Sequence, residues 1–382
     1  MTVPGTGALV EDVKKIAVLR ANALGDYIFA LPALEALRAA YPDAEIVLLG
    51  APWHERFLTG RPGPVDRVLT VPPVPGVRGP GPGESAHDAW RDVDRLRDER
   101  FDIAIQLHGG GRYSNPLVTA LGARVTAGLR APDAPAPHRW IRYEYYQPEV
   151  FRYLEVVGLV GARPVTYTPR LALTGEDHEQ ARRALPPELH RASGPRVVLH
   201  PGATDARRRW PAERFAAVGD ALARLGAHVL VTGTPPERDL VEQVVATMDA
   251  PATALVGALS IGGLAALFAG SALVVSNDTG PVHVAEAVGC PTVGLYWVGN
   301  LINGAPPYRA RHRPLISWTI HCPVCGADCT RDLYPHRGGG QGCAHQPSFV
   351  ADIPVAEVRD AAVDLLANPP SAVDEHREHW QS

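Results

Sequence analysis

The chain has 382 residues, which suits two domains better than one hydrophobic core. Its hydrophobic content of 46% and charged content of 20% are typical of a globular protein, and a formal net charge of −4 gives no reason to expect nucleic acid as the main partner. We find no signal peptide and no uninterrupted apolar run of about 18 residues, so we expect a cytoplasmic protein without a transmembrane segment.

Strands and helices alternate in the first half of the chain. Hydrophobic periodicity predicts strands over residues 15–20, 45–49 and 102–107, and helices over about 27–40, 87–99 and 148–158. The turn ANALGD (21–26) joins the first strand to the first helix. The run HGGGR (108–112) follows the third strand, and in a doubly wound sheet such a polar strand end faces the ligand crevice.

A second α/β half begins at residue 196. Strands are predicted over residues 196–199, 229–232, 272–276 and 292–296, and helices over 212–225, 236–248, 260–269, 281–289 and 355–366. We therefore predict two Rossmann-like domains that face each other across a cleft, in the α/β class. The predicted boundaries give a first domain over 1–175, a second over 176–350, and a C-terminal helix and tail over 351–382.

The turn SNDTG (276–280) lies between a buried strand and a helix in the second half. The first N–H groups of a helix lack intrahelical acceptors and carry partial positive charge, so a phosphate group can bind there. The alternative is that Asp278 and Thr279 only cap the helix. His283, one turn into the helix, favours a binding role. Since lysine occurs only at Lys14 and Lys15, a clamp for phosphate in this half must use arginine.

Four segments together resemble one family. They are RANALGDYIFALPALEALRAAYPDAEI, HPGATDARRRWPAERF, TGTPPERD and SNDTGPVHVAEAVGCPTVGLYW, and with the tail they span about residues 15–365. The chain is identified as similar to the bacterial heptosyltransferases of glycosyltransferase family 9. Neither half carries G-x-G-x-x-G after its first strand, so a dehydrogenase is disfavoured.

The resemblance implies a GT-B fold and an inverting, metal-independent transfer of a sugar from a nucleotide-sugar donor, typically ADP-heptose, to an acceptor hydroxyl. Asp26 matches the general base of the family; its alternative role is to cap the helix that follows. Arg208 stands where the family usually has lysine against the donor phosphates, and Arg207 or Arg209 could share that role. Glu237 matches a carboxylate that binds the nucleotide ribose; its alternative role is that of a first-turn glutamate favoured by the helix dipole. The donor-binding residues implied in this way are Thr204, Arg208, Arg209, Glu237, Asp278, Thr279, Gly280 and His283.

The acceptor side is assigned to the first domain. Its candidate residues are Arg20, Asn22, Gly25 and Arg112. An acceptor that is acidic or phosphorylated would suit the arginines, although surface arginine is the simpler interpretation of each. The acceptor itself, a glycan, a glycolipid or a small molecule, is left open, as is peripheral contact with the inner face of the membrane.

Four of the five cysteines fall in a Cys-rich segment over 321–345. Cys322, Cys325, Cys329 and Cys343 have a spacing that can close a tetrahedral zinc site, with nearby histidines as substitutes. This zinc would be structural, because the transfer itself requires no cofactor in this family. Zinc is favoured over an iron–sulfur centre, and reduced cysteine without metal is the competing interpretation.

Two other functions remain open. The same fold could use another nucleotide sugar on a small natural product or cell-envelope acceptor, or the chain could bind a nucleotide sugar without catalysis. A zinc-dependent nucleic-acid binder is disfavoured by the net charge and by the position of the cysteines outside any basic run.

Overall fold

The computed structural model describes residues 7–81, 83–306, 308–328 and 344–368. The chain divides into two compact units, and the division falls between Ala172 and Leu173. Cys329 and Cys343 of the Cys-rich segment lie outside the described residues.

The first unit is a single parallel sheet with helices in its connections. Its strands are β1 (Lys15–Leu19), β2 (Glu45–Gly50), β3 (Arg67–Thr70), β4 (Ile103–Gln106), β5 (Val125–Arg130) and β6 (Arg139–Arg142). Its helices are α1 (Leu24–Ala40), α2 (Pro52–Leu58), α3 (Ala89–Arg95), α4 (Ser114–Ala120) and α5 (Glu149–Gly158). The six strands lie in the order β3-β2-β1-β4-β5-β6, and all pairs are parallel.

The second unit repeats this plan. Its strands are β7 (Arg196–His200), β8 (His228–Gly233), β9 (Ala252–Val256), β10 (Leu273–Asn277), β11 (Thr292–Trp297) and β12 (His312–Ser317). Its helices are α6 (Gly175–Ala184), α7 (Ala212–Ala223), α8 (Arg238–Thr247), α9 (Ile261–Ala269), α10 (Gly280–Ala287), α11 (Val298–Gly304) and α12 (Val355–Ala367). The strand order is β12-β11-β10-β7-β8-β9, again with parallel pairs.

Central strands are apolar because both faces of each sheet are covered. Ile16, Val18 and Leu19 of β1 are fully buried, as are Leu273, Val274 and Val275 of β10. A parallel sheet needs a helical crossover between successive strands, and these crossovers shield its faces from water. Continuous apolar runs, and not alternating ones, therefore form the core.

Both sheets have the Rossmann order, in which the chain reverses direction across the sheet between the first and fourth strands of the unit. These neighbouring strands are β1 and β4 in the first unit, and β7 and β10 in the second. Ligands of open α/β sheets bind outside the carboxyl ends of the strands at such a point. The loops that follow these four strands are therefore the expected positions of functional residues.

Among the described residues, no helix combines the length and the apolar character needed to cross a bilayer.

Candidate functional site

In the first unit, Asp26 lies in the first turn of α1, directly after β1. Its Oδ2 accepts a hydrogen bond from the N–H of Ala23 at 3.1 Å, and its Oδ1 accepts one from Nη2 of Arg20 at 2.6 Å. The side chain remains 31% exposed, whereas that of Arg20 is 3% exposed. Asp26 thus stabilises the helix start and still presents a carboxylate to solvent, so the capping role and a catalytic role do not exclude each other.

Arg20 is held from several sides. Its Nη1 donates to the carbonyl of Leu107 at the end of β4, at 2.6 Å, and its Nε donates to the carbonyl of Asp26 at 3.2 Å. The guanidinium also lies 4.9 Å from the ring centre of Tyr153 and forms an ion pair with Oε2 of Glu149 at 3.7 Å. Arg20 therefore joins the ends of β1 and β4 to α5 and orients Asp26.

Glu149 links this arginine to a second buried one. Its Oε1 pairs with Nη1 of Arg152, whose Nη2 donates to the carbonyls of Glu144, Tyr145 and Gln147. Burial raises the pKa of Glu149, and the two guanidinium groups oppose this effect. The pair thereby fixes the loop before α5 relative to Arg20.

His108, the first residue of the HGGGR run, also lies beside Arg20. Its Nδ1 accepts a hydrogen bond from the N–H of Ala21 at 3.3 Å. Burial, with a contribution from the charge of Arg20, lowers the pKa of His108 to about 3. The ring is therefore neutral with its proton on Nε2, so that it can act as a hydrogen-bond donor.

The other residues predicted on the acceptor side have varied positions. Gly25 is buried in the first turn of α1. The carbonyl of Asn22 accepts a hydrogen bond from Nε1 of Trp53 at 3.3 Å. Arg112 pairs with Asp133 at 3.4 Å on the exposed side of its loop. The structure thus brings Arg20, Gly25 and Asp26 together, while the contacts of Arg112 lie elsewhere.

In the second unit, Asn277 at the end of β10 connects three loops. Its Nδ2 donates to the carbonyl of Pro201 after β7 at 2.7 Å, and its Oδ1 accepts from the N–H of Trp210 at 3.0 Å. Trp210 is fully buried, and its Nε1 donates to the carbonyl of Ile353. The segments HPGAT, RRRWP and SNDTG are therefore held side by side.

Asp278 is buried and surrounded by hydrogen-bond donors. Its Oδ2 accepts a hydrogen bond from Nδ2 of Asn300 at 2.5 Å and lies 3.5 Å from Nη1 of Arg208, which also donates to the Asp278 carbonyl at 3.2 Å. Burial by itself would raise the pKa of Asp278, but these donors and His283 hold it below its ordinary value. Asp278 is therefore an anion that fixes the turn.

Thr279 and Gly280 begin α10 and are both partly exposed. Thr279 is the N-cap residue, yet its side chain makes no capping hydrogen bond. The carboxylate of Asp278 is directed to other partners. The side-chain caps that the alternative interpretation required are thus not seen at this helix. Pro281 has no N–H, and the N–H of Val282 donates to the carbonyl of Thr279, so the N–H groups that an anion could bind are those of Thr279 and Gly280.

His283 lies one turn into α10 between two carboxylates. Its Nε2 is 3.3 Å from Oδ1 of Asp278, and its Nδ1 is 3.1 Å from Oε2 of Glu286. Burial would lower the pKa of His283, but the charges and hydrogen bonds of the two carboxylates outweigh it and raise the pKa to about 9. A cation therefore lies inside the first turns of this helix at neutral pH.

Three predicted donor-binding residues lie around the loop after β7. Both the N–H and the hydroxyl of Thr234 donate to Oε2 of Glu237, at 2.8 and 2.7 Å. A Cβ on Gly202 would lie 2.1 Å from Oε1 of Glu237, so a side chain at this position would displace the Glu237 carboxylate. Arg209 donates to the carbonyl of Ala203 at 2.8 Å, and Thr204 is exposed. The loop that follows β7 therefore lies against the carboxylate of Glu237.

Cys322, Cys325 and His345 form a cluster in the Cys-rich segment. One ligand atom from each lies within 4.8 Å of the other two. The N–H of Val324 donates to the sulfur of Cys322 at 3.4 Å, and the N–H of Gly326 donates to the carbonyl of Cys322 at 2.8 Å. The thiolate is the form of cysteine that binds metal.

Several residues of these clusters were not predicted as site residues from the sequence. They are His108, Glu149, Arg152, Glu286 and Asn300. Two of them had a local signal: His108 begins the polar HGGGR run at a strand end, and Glu286 lies three residues after His283 on the same helix, where side chains are neighbours.

Solved structures share this fold. The glycosyl transferase family 9 protein from Veillonella parvula superposes with a TM-score of 0.75 over 94% of this chain and 99% of its own, at 24% identity. Escherichia coli ADP-heptose lps heptosyltransferase II superposes with a TM-score of 0.67 over 94% of this chain and the whole of its own, at 19% identity. The fold is thus the GT-B fold, as predicted.

Sequence comparison defines the family. The model of glycosyltransferase family 9 (heptosyltransferase) matches residues 90–329. The lipopolysaccharide core heptosyltransferase OpsX of Haemophilus influenzae is 24% identical over 307 residues, which are 78% of this chain and 82% of that protein. The chain belongs to glycosyltransferase family 9. It is therefore a glycosyltransferase, and the resemblance noted from its motifs is confirmed.

Proposed function

We propose that the protein is an inverting, metal-independent transferase that moves a heptose from ADP-heptose to the hydroxyl of a cell-envelope glycan. The observation that carries this proposal is the convergence of Arg208, the SNDTG turn and His283 at the N-terminus of α10. The names of the relatives, which are lipopolysaccharide heptosyltransferases, supply the sugar and the acceptor class.

The donor diphosphate would bind at this N-terminus. The N–H groups of Thr279 and Gly280 would receive its oxygens, and the Arg208 guanidinium would neutralise part of its charge. Asp278 would not touch phosphate, because its carboxylate already accepts from three side chains. Glu237 would bind the ribose hydroxyls from the end of β8, and Thr204 and Arg209 would flank the nucleotide.

Asp26 would act as the general base. Its exposed carboxylate would take the proton of the acceptor hydroxyl as the oxygen attacks the anomeric carbon. The bond to the diphosphate breaks on the opposite face of the sugar, so the configuration inverts, and the leaving diphosphate is stabilised at α10. His108 and Arg20 would orient the acceptor beside Asp26.

A thermal-shift screen tests the donor. We expect ADP-heptose to stabilise the protein more than UDP-, GDP- or dTDP-sugars, because the curated relatives are named lipopolysaccharide heptosyltransferases. A ligand at about 100 times its dissociation constant adds about 2.7 kcal/mol to the free energy of unfolding. If another nucleotide sugar gave the largest shift, the proposed donor would be replaced. No shift with any of them would contradict the whole proposal.

We also propose a structural zinc ion at the Cys-rich segment. Cys322, Cys325 and His345 would supply three ligands, and the fourth is predicted among Cys329 and Cys343, outside the described residues. The zinc would fix the chain between β12 and α12 and take no part in transfer.

Metal analysis tests this site. Protein purified without chelator should contain about one zinc per chain, and the double variant Cys322→Ser/Cys325→Ser should contain none. Iron should be measured in the same samples, since thiolates bind both metals. Cys290→Ser, which changes a buried cysteine distant in sequence, is the matched control and should keep the metal. A wild-type chain without metal would contradict the proposal.

A further inference from the structure

The side chain of His283 has carboxylate partners on both ring nitrogens. Nε2 faces Oδ1 of Asp278, and Nδ1 faces Oε2 of Glu286. An ionised carboxylate only accepts hydrogen bonds, so each ring nitrogen must donate. A neutral imidazole can donate from one nitrogen only. The geometry is therefore satisfied when the ring is an imidazolium.

Glu286 is itself held in place. The hydroxyl of Tyr296, on β11, donates to its Oε1 at 3.2 Å, while its Oε2 faces His283. Tyr296 is fully buried and its ring lies 6.4 Å from that of His283. Glu286 therefore has one oxygen for each neighbour, and its orientation leaves His283 little freedom to turn.

Charge around Asp278 decides whether an anion can bind at the turn. Asp278 and Glu286 contribute two negative charges, and Arg208 and protonated His283 contribute two positive ones. The cluster is then neutral. If His283 loses its proton, a net negative charge remains under the N-terminus of α10, and this charge repels a diphosphate.

We propose that Glu286 is a positioning residue that holds His283 as an imidazolium and thereby keeps the Asp278 turn receptive to the diphosphate of the donor. This inference rests on the proposed donor site. Glu286 does not touch the substrate; it acts through His283, which in turn compensates Asp278.

Charged and polar groups from several neighbouring elements face the cluster of Asp278, His283 and Glu286. Asp278 follows β10, Glu286 shares α10 with His283, and Tyr296 lies on β11. Arg208 and Asn300 reach Asp278 from the loop after β7 and from α11. At longer range, His312 on β12 interacts electrostatically with Glu286, and Arg309 interacts with Tyr296. Helix α9 contributes only apolar residues and glycine.

The expected pH dependence follows from the direction of the shift. The pKa of His283 is raised from 6.5 to about 9. The stabilisation that the imidazolium gives to the folded cluster is therefore fully present below pH 6.5, and it is lost as the pH rises through about 9. Without the Glu286 charge, this loss should occur at lower pH, by about one unit or more.

The test measures ADP affinity by calorimetry between about pH 6 and 10. In the wild type the affinity should fall with a midpoint near pH 9, and in Glu286→Gln the midpoint should lie lower by about one unit or more. The matched control is Glu242→Gln, which removes an exposed carboxylate paired with Arg238 on α8 and should leave the midpoint unchanged. Equal midpoints in Glu286→Gln and the wild type would overturn the role of Glu286.

A second measurement needs no variant of Glu286. The imidazole resonances of the wild type, with that of His283 identified by its loss in His283→Gln, should show one ring that titrates near pH 9. Titration near 6.5 would overturn the inference. Absence of ADP binding at every pH would instead overturn the proposed donor site, and this titration would still decide whether His283 is held as a cation.

Discussion

Replacing Asp26 by asparagine should lower the rate of sugar transfer by about 10²- to 10⁴-fold, the usual contribution of a general base. Asparagine has nearly the same volume and keeps an oxygen that can accept from Arg20, but it cannot take a proton. Affinity for ADP should be unchanged, because Asp26 belongs to the first unit and the proposed donor site belongs to the second. Initial rates and calorimetry with the same preparations measure both quantities.

The control for this variant is Asp43→Asn, which changes an exposed aspartate in the turn after α1. It should retain full transfer. The melting temperature of Asp26→Asn should also be recorded, since Arg20 keeps its contacts with Leu107 and Glu149 but loses its ion pair with Asp26. Undiminished transfer would remove Asp26 from the mechanism. Loss of ADP binding together with transfer would point to unfolding in place of a catalytic defect.

Replacing Arg208 by alanine should weaken ADP binding by about 10- to 100-fold. A hydrogen bond to a charged group contributes about 1.5–3 kcal/mol, and Arg208 is the arginine of the RRR run that bonds to Asp278 in the proposed phosphate site. Arg208→Lys should recover part of the affinity, because lysine keeps the charge but cannot bind in a fork. Calorimetry with ADP and with AMP separates the diphosphate contribution from that of the nucleoside.

The neighbouring arginines provide the comparison. Arg207 pairs with Asp205 at 2.7 Å, and Arg209 donates to the carbonyl of Ala203. Alanine at either position should therefore cost less affinity than at Arg208. Equal losses at Arg208 and Arg209 would contradict the assignment of the phosphate contact to one guanidinium, and would favour a clamp shared by the run.

The central elements were predictable because their signals are local. Strands β1, β7 and β10 are buried on both faces, so their apolar runs stand out against the polar turns that follow. Helices α1, α5 and α12 carry apolar residues at helical spacing. The sequence motifs then identified the family, and the fold class that they implied is confirmed by the solved structures.

Strands at the edges were not predicted. All residues of β3 are only partly buried, and β6 alternates between partly buried and exposed residues. A strand with one neighbour needs no continuous apolar run, so its sequence resembles that of a loop. Strand β5 is internal, but Gly128 interrupts its apolar pattern. That glycine is required by packing, since a Cβ there would lie 2.8 Å from the Cβ of Gln106.

The sequence by itself determined the order of the central strands and the longer helices, the family, and the candidate residues that lie in contiguous motifs, because these depend on neighbours along the chain. Only the tertiary structure decided which motifs meet. Arg208 and Asp278 are 70 residues apart and are joined by the parallel pairing of β7 with β10. Glu149 reaches Arg20 because β1 and β4 are paired beside α5. Such contacts arise from the crossover connections of a parallel sheet, which place distant strand ends side by side, and no local pattern records them.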